Sequence, residues 1–429
     1  MSDLYSALQW RGLLYDSTKD TETYLKGEKA PVGYVGFDPT ARSLHIGSLI
    51  PIMGLVHLQQ NGGRPIAVVG GGTGMIGDPS GKSTERTFLT QDVLEENITG
   101  LKTQLEHFLD FSGSNATRMV NNLDWLGNLN LMDFLRDIGK HYTVNQMLAK
   151  DSIKSRLDRA KEGAEGISFT EFTYMLMQAY DYLHLFDTYK CRLQMGGSDQ
   201  WGNITAGIEL IGRMREDPAY GLVMPLITTS SGQKFGKSEA GNIWLDAEMT
   251  SPYRFYQYWI NTEDADVERY LKFFTLFEQK VIGSIVATHA EDPHKRTGQV
   301  ALAEDITRRV HGQDGLARAQ AATGALFGGD LTELSPADLA DVFGDVPSVD
   351  LAQTPEASSP FTAIELAVWA GLAKSKGEAR RLIQGGGVYI NNAKIDDMAA
   401  EIQKDTRLHG QYLVMRKGKK NYFLVIWNG

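Results

Sequence analysis

The sequence predicts an α/β protein: a doubly wound parallel sheet, then an α-helical domain, then a small α+β module. Three observations carry this. Strand-like and helix-like signals alternate through the first half, the pattern of a parallel sheet with crossover helices. Helical patterns alone run from 251 to about 325. The tail then reverses the charge of the body. Residues 356–429 hold eleven Lys/Arg against seven Asp/Glu, whereas the whole chain has a net charge of −10. A basic module on an acidic body suggests an anionic partner for the module, although +4 over 74 residues is also an unremarkable balance.

The elements follow in order. Val32–Phe37 reads as a short strand ending at Asp38-Pro39. Ser43 is placed to cap a helix running through residue 60, with Pro51 predicting a kink. Residues 43–63 lack charge over a length that could span a bilayer. Their His45, Ser48, His57, Gln59, Gln60 and Asn61 instead favour a buried amphipathic helix. Residues 65–69 form a β-branched apolar run, a second buried strand. Helical patterns fill 90–110 and 131–160. Residues 191–195 read as a strand, followed by Gly196-Gly197 and a helix from about Asp199. Residues 222–227 are strand-like. Ser251-Pro252 is an N-cap with proline at the first helical position. Residues 326–360, rich in Pro, Gly, Ser and Asp, read as a linker. The expected division is 1–225 for the Rossmann-like sheet domain and 226–250 for a loop and connector. A helical domain at 251–325, the linker at 326–360 and a small C-terminal domain at 361–429 complete it.

Composition excludes several classes. A hydrophobic fraction of 42% and a charged fraction of 22% exclude a disordered chain, a collagen and a coiled coil. One cysteine, Cys191, excludes a disulfide framework and a CxxC-type zinc site. No protein-bound metal is predicted. The start Met1-Ser2-Asp3-Leu4-Tyr5 lacks the basic and apolar regions of a signal peptide, so a reducing, cytoplasmic location is expected.

Gly72-Thr73-Gly74-Met75-Ile76-Gly77 matches the dinucleotide-binding pattern GxGxxG. Asp78-Pro79 interrupts the helix that such a loop should open. The overlapping Gly77-Asp78-Pro79-Ser80-Gly81-Lys82-Ser83 fails as a P-loop because Ile76 stands where glycine is required. A glycine-rich strand end carrying one acid, Asp78, remains, in the place where open α/β sheets bind ligands.

Two further motifs point to nucleotide chemistry. His45-Ile46-Gly47-Ser48 starts a helix just after a strand, where free backbone N–H groups attract phosphate. His45 adds a donor, and Gly47 permits close approach of a nucleotide to the backbone. Lys234-Phe235-Gly236-Lys237-Ser238 sets two ammonium groups three residues apart on a loop, suited to clamping a polyphosphate. Each alone also fits an ordinary helix start or a solvated turn. Together, in this order and about 190 residues apart, they resemble the HIGH and KMSKS signatures of class I aminoacyl-tRNA synthetases. Further segments narrow the resemblance to tyrosyl-tRNA synthetases of the bacterial type. These are Tyr34-Val35-Gly36-Phe37-Asp38-Pro39-Thr40, Gly74-Met75-Ile76-Gly77-Asp78-Pro79, Thr170-Glu171-Phe172-Thr173-Tyr174 and Gly196-Gly197-Ser198-Asp199-Gln200-Trp201-Gly202-Asn203. The tail segments 373–383 and 387–391 look like the small RNA-binding module that such synthetases share with a ribosomal protein.

The resemblance implies a tyrosine–tRNA ligase using L-tyrosine, ATP with Mg2+, and tRNA(Tyr). It implies a homodimer with no membrane or DNA partner. Tyr174, Gln178 and Asp181 fall within about 60° on one helix face. Spacing leaves open whether that face is exposed or a pocket wall, and the resemblance implies the pocket. Asp181 and Tyr34 would then bond the substrate's phenol, and Tyr174, Gln178 and Asp78 its ammonium group, with Gln200 beside them. Gly36, Asp38, Gly47, Ser48, Gly196, Asp199 and Gln200 would line the ATP site. Thr40, His45, Lys234 and Lys237, with Ser238, would meet the outer phosphates, joined by Lys82 and Arg86. Lys374, Lys376, Arg380, Arg381, Arg416, Lys417, Lys419 and Lys420 would face RNA. Ser48 departs from the second histidine of the first signature and is too short to fill its space. The dimer seam is not legible; apolar patterning at 131–148, with Phe134 and Tyr142, fits a seam or a core equally.

Overall fold

In a computed structural model, the described residues are 3–78, 90–163, 166–232, 235–238, 241–353, 361–399, 401–418 and 421–428. For residues 151, 152, 155, 237 and 238 this covers the backbone alone. Six strands form the first sheet: β1 (Asp16–Ser17), β2 (Val32–Phe37), β3 (Arg64–Val69), β4 (Arg118–Asn121), β5 (Leu193–Gly197) and β6 (Tyr220–Met224). Their order is β1-β6-β5-β2-β3-β4. Strands β2 to β6 run parallel, and β1 pairs antiparallel with β6. Winding proceeds from β2 to β3 and β4 on one side, then returns to β5 and β6 on the other. The switch point between β2 and β5 is where such a sheet takes its ligand, beyond the carboxyl ends of the strands. Register sets Tyr34 beside Gln194 across that seam. Central strands are covered on both faces, which is why β2 and β3 read as apolar runs without alternation.

Helices α1 (Leu4–Arg11), α2 (Leu49–Gln60), α3 (Gln91–Leu105), α4 (Phe169–Tyr189) and α5 (Trp201–Arg215) accompany the sheet. A capping box between Ser168 and Glu171 starts α4. Tyr182, Leu185 and Phe186 of α4 pack with Ala206 and Leu210 of α5 in one core. The predicted kink in α2 is absent for a simple reason. A 3-10 turn, Ile46–Ser48, precedes the helix, so Pro51 falls in the first turn, where no N–H is needed. Ser43 is not the cap. It is buried, donating to Leu44 O and accepting from Asp246 N.

The helical pattern over 131–160 breaks into Leu131–Asp133, a π-turn Phe134–Ile138, a 3-10 turn Gly139–His141, and the helices Val144–Leu148 and Asp151–Lys161. Side-chain caps at Asn130 and Thr143 start two of these pieces, Leu131–Asp133 and Val144–Leu148. Strand β5 begins two residues later than expected and includes Gly196 and Gly197, which pair with β6. No helix among the described residues is long and apolar enough to cross a membrane.

A ribbon of β7 (Lys237–Ser238) and β8 (Gly241–Asn242) follows. Helices α6 (Pro252–Ile260), α7 (Asp264–Phe274), α8 (Gln279–Glu291) and α9 (Thr297–Ala325) fill the expected helical stretch, with α9 broken at Gly312. The chain divides into two compact units, 1–249 with 262–302 and 250–261 with 303–429. In the second, β9 (Ser348–Asp350), β10 (Val388–Ile390), β11 (Ala393–Lys394), β12 (Tyr412–Lys417) and β13 (Asn421–Ile426) form a sheet ordered β11-β10-β12-β13-β9. Strand alternation gives that sheet two buried faces. Leu413, Met415 and Val425 face the core that includes α11 (Ala363–Trp369) and α12 (Lys376–Gln384). Val414, Tyr422 and Leu424 face Phe343 and Leu339 of α10 (Pro336–Phe343) and Ala322 of α9. The linker expected at 326–360 is therefore corrected. Within its described part, 326–353, it holds the helix α10, which covers the second face of this sheet, and the strand β9, which extends the sheet beside β13. Its turn-rich composition marks α10's capping box, Ser335 with Asp338, and not a free connector.

Candidate active site

A cavity of about 230 Å³ opens over the carboxyl ends of β2 and β5. Its lining includes Tyr34, Asp78, Tyr174, Gln178, Asp181 and Gln200, the residues expected around tyrosine. Gly36, Asp38 and Gly196 line it as well. The polar stripe of α4 is thus a pocket wall: Tyr174 and Asp181 are 5% and 3% exposed.

The deep end is built around Asp181. Asn122 Nδ2 donates to its Oδ2 at 2.9 Å, and Trp125 Nε1 to its Oδ1 at 2.7 Å. Burial pushes its pKa up to about 7, the two donors pull it down, and the charge of Asp38 adds to the rise. Tyr34 Oη is buried and has no hydrogen-bond partner among the described residues. Burial and the charge of Asp181 hold its phenol well above the usual tyrosine range.

The outer wall is a chain of amides and carboxylates. Gln178 Nε2 donates to Gln200 Oε1 at 3.3 Å, and Gln200 Nε2 to Asp78 Oδ2 at 2.7 Å. Tyr174 Oη donates to Asp38 Oδ2 at 3.4 Å, and Thr73 Oγ1 to Asp38 Oδ1 at 3.2 Å. Asn122 Nδ2 also reaches Thr73 Oγ1, so one network joins Asp181 to Asp38. Gly36 has open space where a side chain would stand. Sequence reasoning missed Asn122, Trp125, Thr73 and Gln194. The signal for Asn122 was its place just past β4, but the short, half-buried run 118–121 was not read as a strand. The GxGxxG segment opens no helix over the described residues; Thr73–Met75 forms a 3-10 turn.

The two signatures meet in space. Ile46 N donates to Ile243 O at 3.0 Å, and Leu245 N to Leu44 O at 2.9 Å. Ile243 N in turn donates to Gly236 O at 3.1 Å. Gly236 has φ +84°, and a Cβ there would stand 3.2 Å from Ile46 Cγ1. The segment after the lysine motif thus runs beside the histidine motif, and Trp244 sets its ring edge-on to His45. Gly47 N donates to His45 Nδ1 at 3.0 Å, which assigns the proton of the neutral ring to Nε2. Gly47 has a reason beyond the one expected. A Cβ would lie 2.7 Å from His45 Cε1, so the folded-back imidazole itself requires glycine. Ser48 N closes the turn on His45 O. Thr40, His45 and Asp199 are exposed and are not among the residues lining the cavity. Lys237 and Ser238 lie in the β7 backbone. Lys82, Arg86 and Lys234 lie outside the described residues, as do Lys419 and Lys420 of the tail.

Within the second unit the expected RNA-facing residues separate. Arg416 sits 3.9 Å from the Tyr389 ring centre and bonds Asn392 Oδ1 and Gly418 O, so the fold itself occupies it. Lys376 pairs with Glu365, and Lys417 with Glu378 and Leu372 O. Lys374, Arg380 and Arg381 are exposed.

Known proteins match this chain over nearly its whole length. Residues 26–328 match the family described as tRNA synthetases class I (W and Y). Residues 338–425 match the tyrosine–tRNA ligase C-terminal domain. A tyrosine–tRNA ligase of Roseiflexus castenholzii is 50% identical over 426 residues, 99% of each chain. The chain belongs to the tyrosine–tRNA ligase family. That makes it one of the class I aminoacyl-tRNA ligases. The tyrosine–tRNA ligase of Geobacillus stearothermophilus is 48% identical over 426 residues, again 99% of each chain. Among solved structures, a C-terminally truncated mitochondrial tyrosyl-tRNA synthetase of Coccidioides posadasii matches with a TM-score of 0.65 and 32% identity. That match covers 74% of this chain and 91% of the other.

Proposed function

We propose that this tyrosine–tRNA ligase activates L-tyrosine with Mg2+-bound ATP to tyrosyl-adenylate and pyrophosphate. It then transfers tyrosine to the 3′-terminal adenosine of tRNA(Tyr). One observation carries the reading: a phenol hydroxyl without partner, Tyr34, and a donor-held carboxylate, Asp181, share the deep end of one cavity. A buried hydroxyl left alone costs about 1–3 kcal/mol. A substrate phenol donating to Asp181 and accepting from Tyr34 removes that cost. Phenylalanine cannot, and is rejected for leaving both groups unpaired, a rule for which this family is itself the standing example.

Tyr174, Gln178 and Asp78 hold the ammonium group, with Gln200 tying the last two together. ATP lies along Gly36, Asp38, Gly47, Ser48, Gly196 and Asp199. The tyrosine carboxylate attacks the α-phosphorus, the bond to the bridging oxygen breaks, and pyrophosphate leaves. A carboxylate is already a nucleophile, so no side-chain base is needed. Catalysis comes from positioning and from stabilising charge on the phosphorus. His45 Nε2–H, Thr40, Lys234 and Lys237, with Ser238, Lys82 and Arg86, supply that charge stabilisation. The zipper between the segments at 44–46 and 236–245 supports a single site for both signatures.

Lys374, Arg380 and Arg381 contact the tRNA backbone, with Lys376, Lys417, Lys419 and Lys420 in supporting places. A homodimer is part of the proposal. Leu131, Met132, Val144 and Phe169 are 67%, 69%, 60% and 75% exposed, an unusual set of bare apolar side chains. Tyr142, by contrast, is core, donating to Ala206 O. The single, buried Cys191 fits work in a reducing cytoplasm. Amino-acid-dependent ATP–pyrophosphate exchange tests the reading. Exchange with tyrosine alone is expected; exchange with tryptophan would overturn the pocket, and none with any amino acid would overturn the adenylation.

A further inference from the structure

Helix α7 touches the lysine loop at two places. At one end, Asp266 is 2% exposed, yet its Oδ2 accepts from Ser230 N at 2.9 Å. Its other oxygen accepts from Arg269, whose guanidinium also donates to Thr228 O at 2.8 Å. Ser230 Oγ donates to Glu263 Oε2 at 2.6 Å, just before α7 begins. At the other end, Phe235 is 7% exposed. It stacks on Phe274 at 5.4 Å and 6°, and meets Tyr270 edge-on at 5.4 Å. Lys234 stands between these two ends in the sequence, and Lys237 two residues beyond.

A buried carboxylate spent on one loop N–H is expensive unless paired and hydrogen-bonded. Here the pairing and the loop contact belong to the same group. We propose that Asp266 is a positioning residue for the adenylation step. Through Ser230 it fixes the stem of the lysine loop, while Phe235 fixes the far side, so that the backbone carrying Lys237 is held in one place for the phosphates. Asp266 touches no substrate and acts only through the loop. The inference rests on the role proposed above for Lys237.

A double-mutant cycle on the full chain tests it, reading pre-steady-state adenylate formation and, separately, equilibrium tyrosine binding. Misplacement of a charge-stabilising group by about 1 Å can cost about a hundredfold in rate. Asp266→Ala is therefore expected to slow adenylate formation by about 10- to 100-fold with tyrosine binding unchanged. In a Lys237→Ala background the same substitution should cost little, because the group it positions is gone. Equal, additive losses in both backgrounds would overturn the inference. So would a normal rate in Asp266→Ala. Should that variant fail to fold, Glu263→Ala, at an exposed residue, removes the outer Ser230 contact; a several-fold loss of rate is expected, and none would count against the inference. If Lys237→Ala alone leaves adenylation normal, the underlying reading fails instead, and the two failures are distinct.

Discussion

The carboxyl of Asp181 offers a quantitative test of the tyrosine pocket. With its pKa at about 7, about a tenth of the free protein is ionised at pH 6 and about nine tenths at pH 8. If the substrate phenol donates to the ionised form, apparent affinity scales with that fraction. Tyrosine Kd should therefore rise about tenfold from pH 8 to pH 6. The profile of kcat/KM for tyrosine should fall through about pH 7, while kcat, which reports the bound state, should turn at lower pH. Other groups near the site must be held apart. Asp38 contributes charge to Asp181, and His184 stacks on Trp125 at 4.3 Å with a pKa lowered by burial. Asp181→Asn should bind tyrosine weakly with a flat profile between pH 6 and 8, whereas His184→Gln should keep the step. The same shift has a stability cost. A carboxyl with a raised folded pKa makes the protein less stable as pH rises from about 4 to about 7, by about 4 kcal/mol at most. Asp181→Asn should remove that component from the pH dependence of Tm. Equilibrium dialysis with labelled tyrosine gives the first result and thermal unfolding the second. A wild-type Kd that stays flat from pH 6 to 8 would refute the ionised-acceptor account.

Four other outcomes are expected. Tyr34→Phe removes a buried hydroxyl without partner, so folding stability should hold or rise slightly; discrimination against phenylalanine in pyrophosphate exchange should drop by about 1–3 kcal/mol. His45→Ala should slow adenylation by about 10²–10³ and leave tyrosine binding nearly unchanged; normal adenylation with weak tyrosine binding would sink its assignment. Gly236→Ala forces an alanine to φ +84° against Ile46, at a cost of about 1–2 kcal/mol. A loss of adenylation should accompany it, measured by single-turnover kinetics. Replacing Lys374, Arg380 and Arg381 together with alanine should weaken tRNA binding, reduce its salt dependence by about three counterions, and spare pyrophosphate exchange; unchanged filter binding across salt would move the RNA face elsewhere.

The sequence by itself determined the sheet class, because burial on both faces leaves unbroken apolar runs such as 32–37, and the two signatures, because phosphate chemistry needs particular residues at short spacing. It also offered Tyr34 and Asp181 as pocket candidates, through a family resemblance that local pattern alone could not supply. The stripe on α4 had two readings until the helix was seen to wall the cavity. Tertiary structure alone decided the remainder. Asn122 and Trp125, which hold Asp181, lie more than fifty residues from it in the chain. The zipper at Gly236 joins segments about 190 residues apart, and the packing that turns residues 331–343 from linker into sheet cover depends on β12 and β13 far downstream. Periodicity and capping act over a few residues, so they show in sequence. Hydrogen bonds and packing between distant segments depend on where the chain returns, and only the folded sheet fixes that.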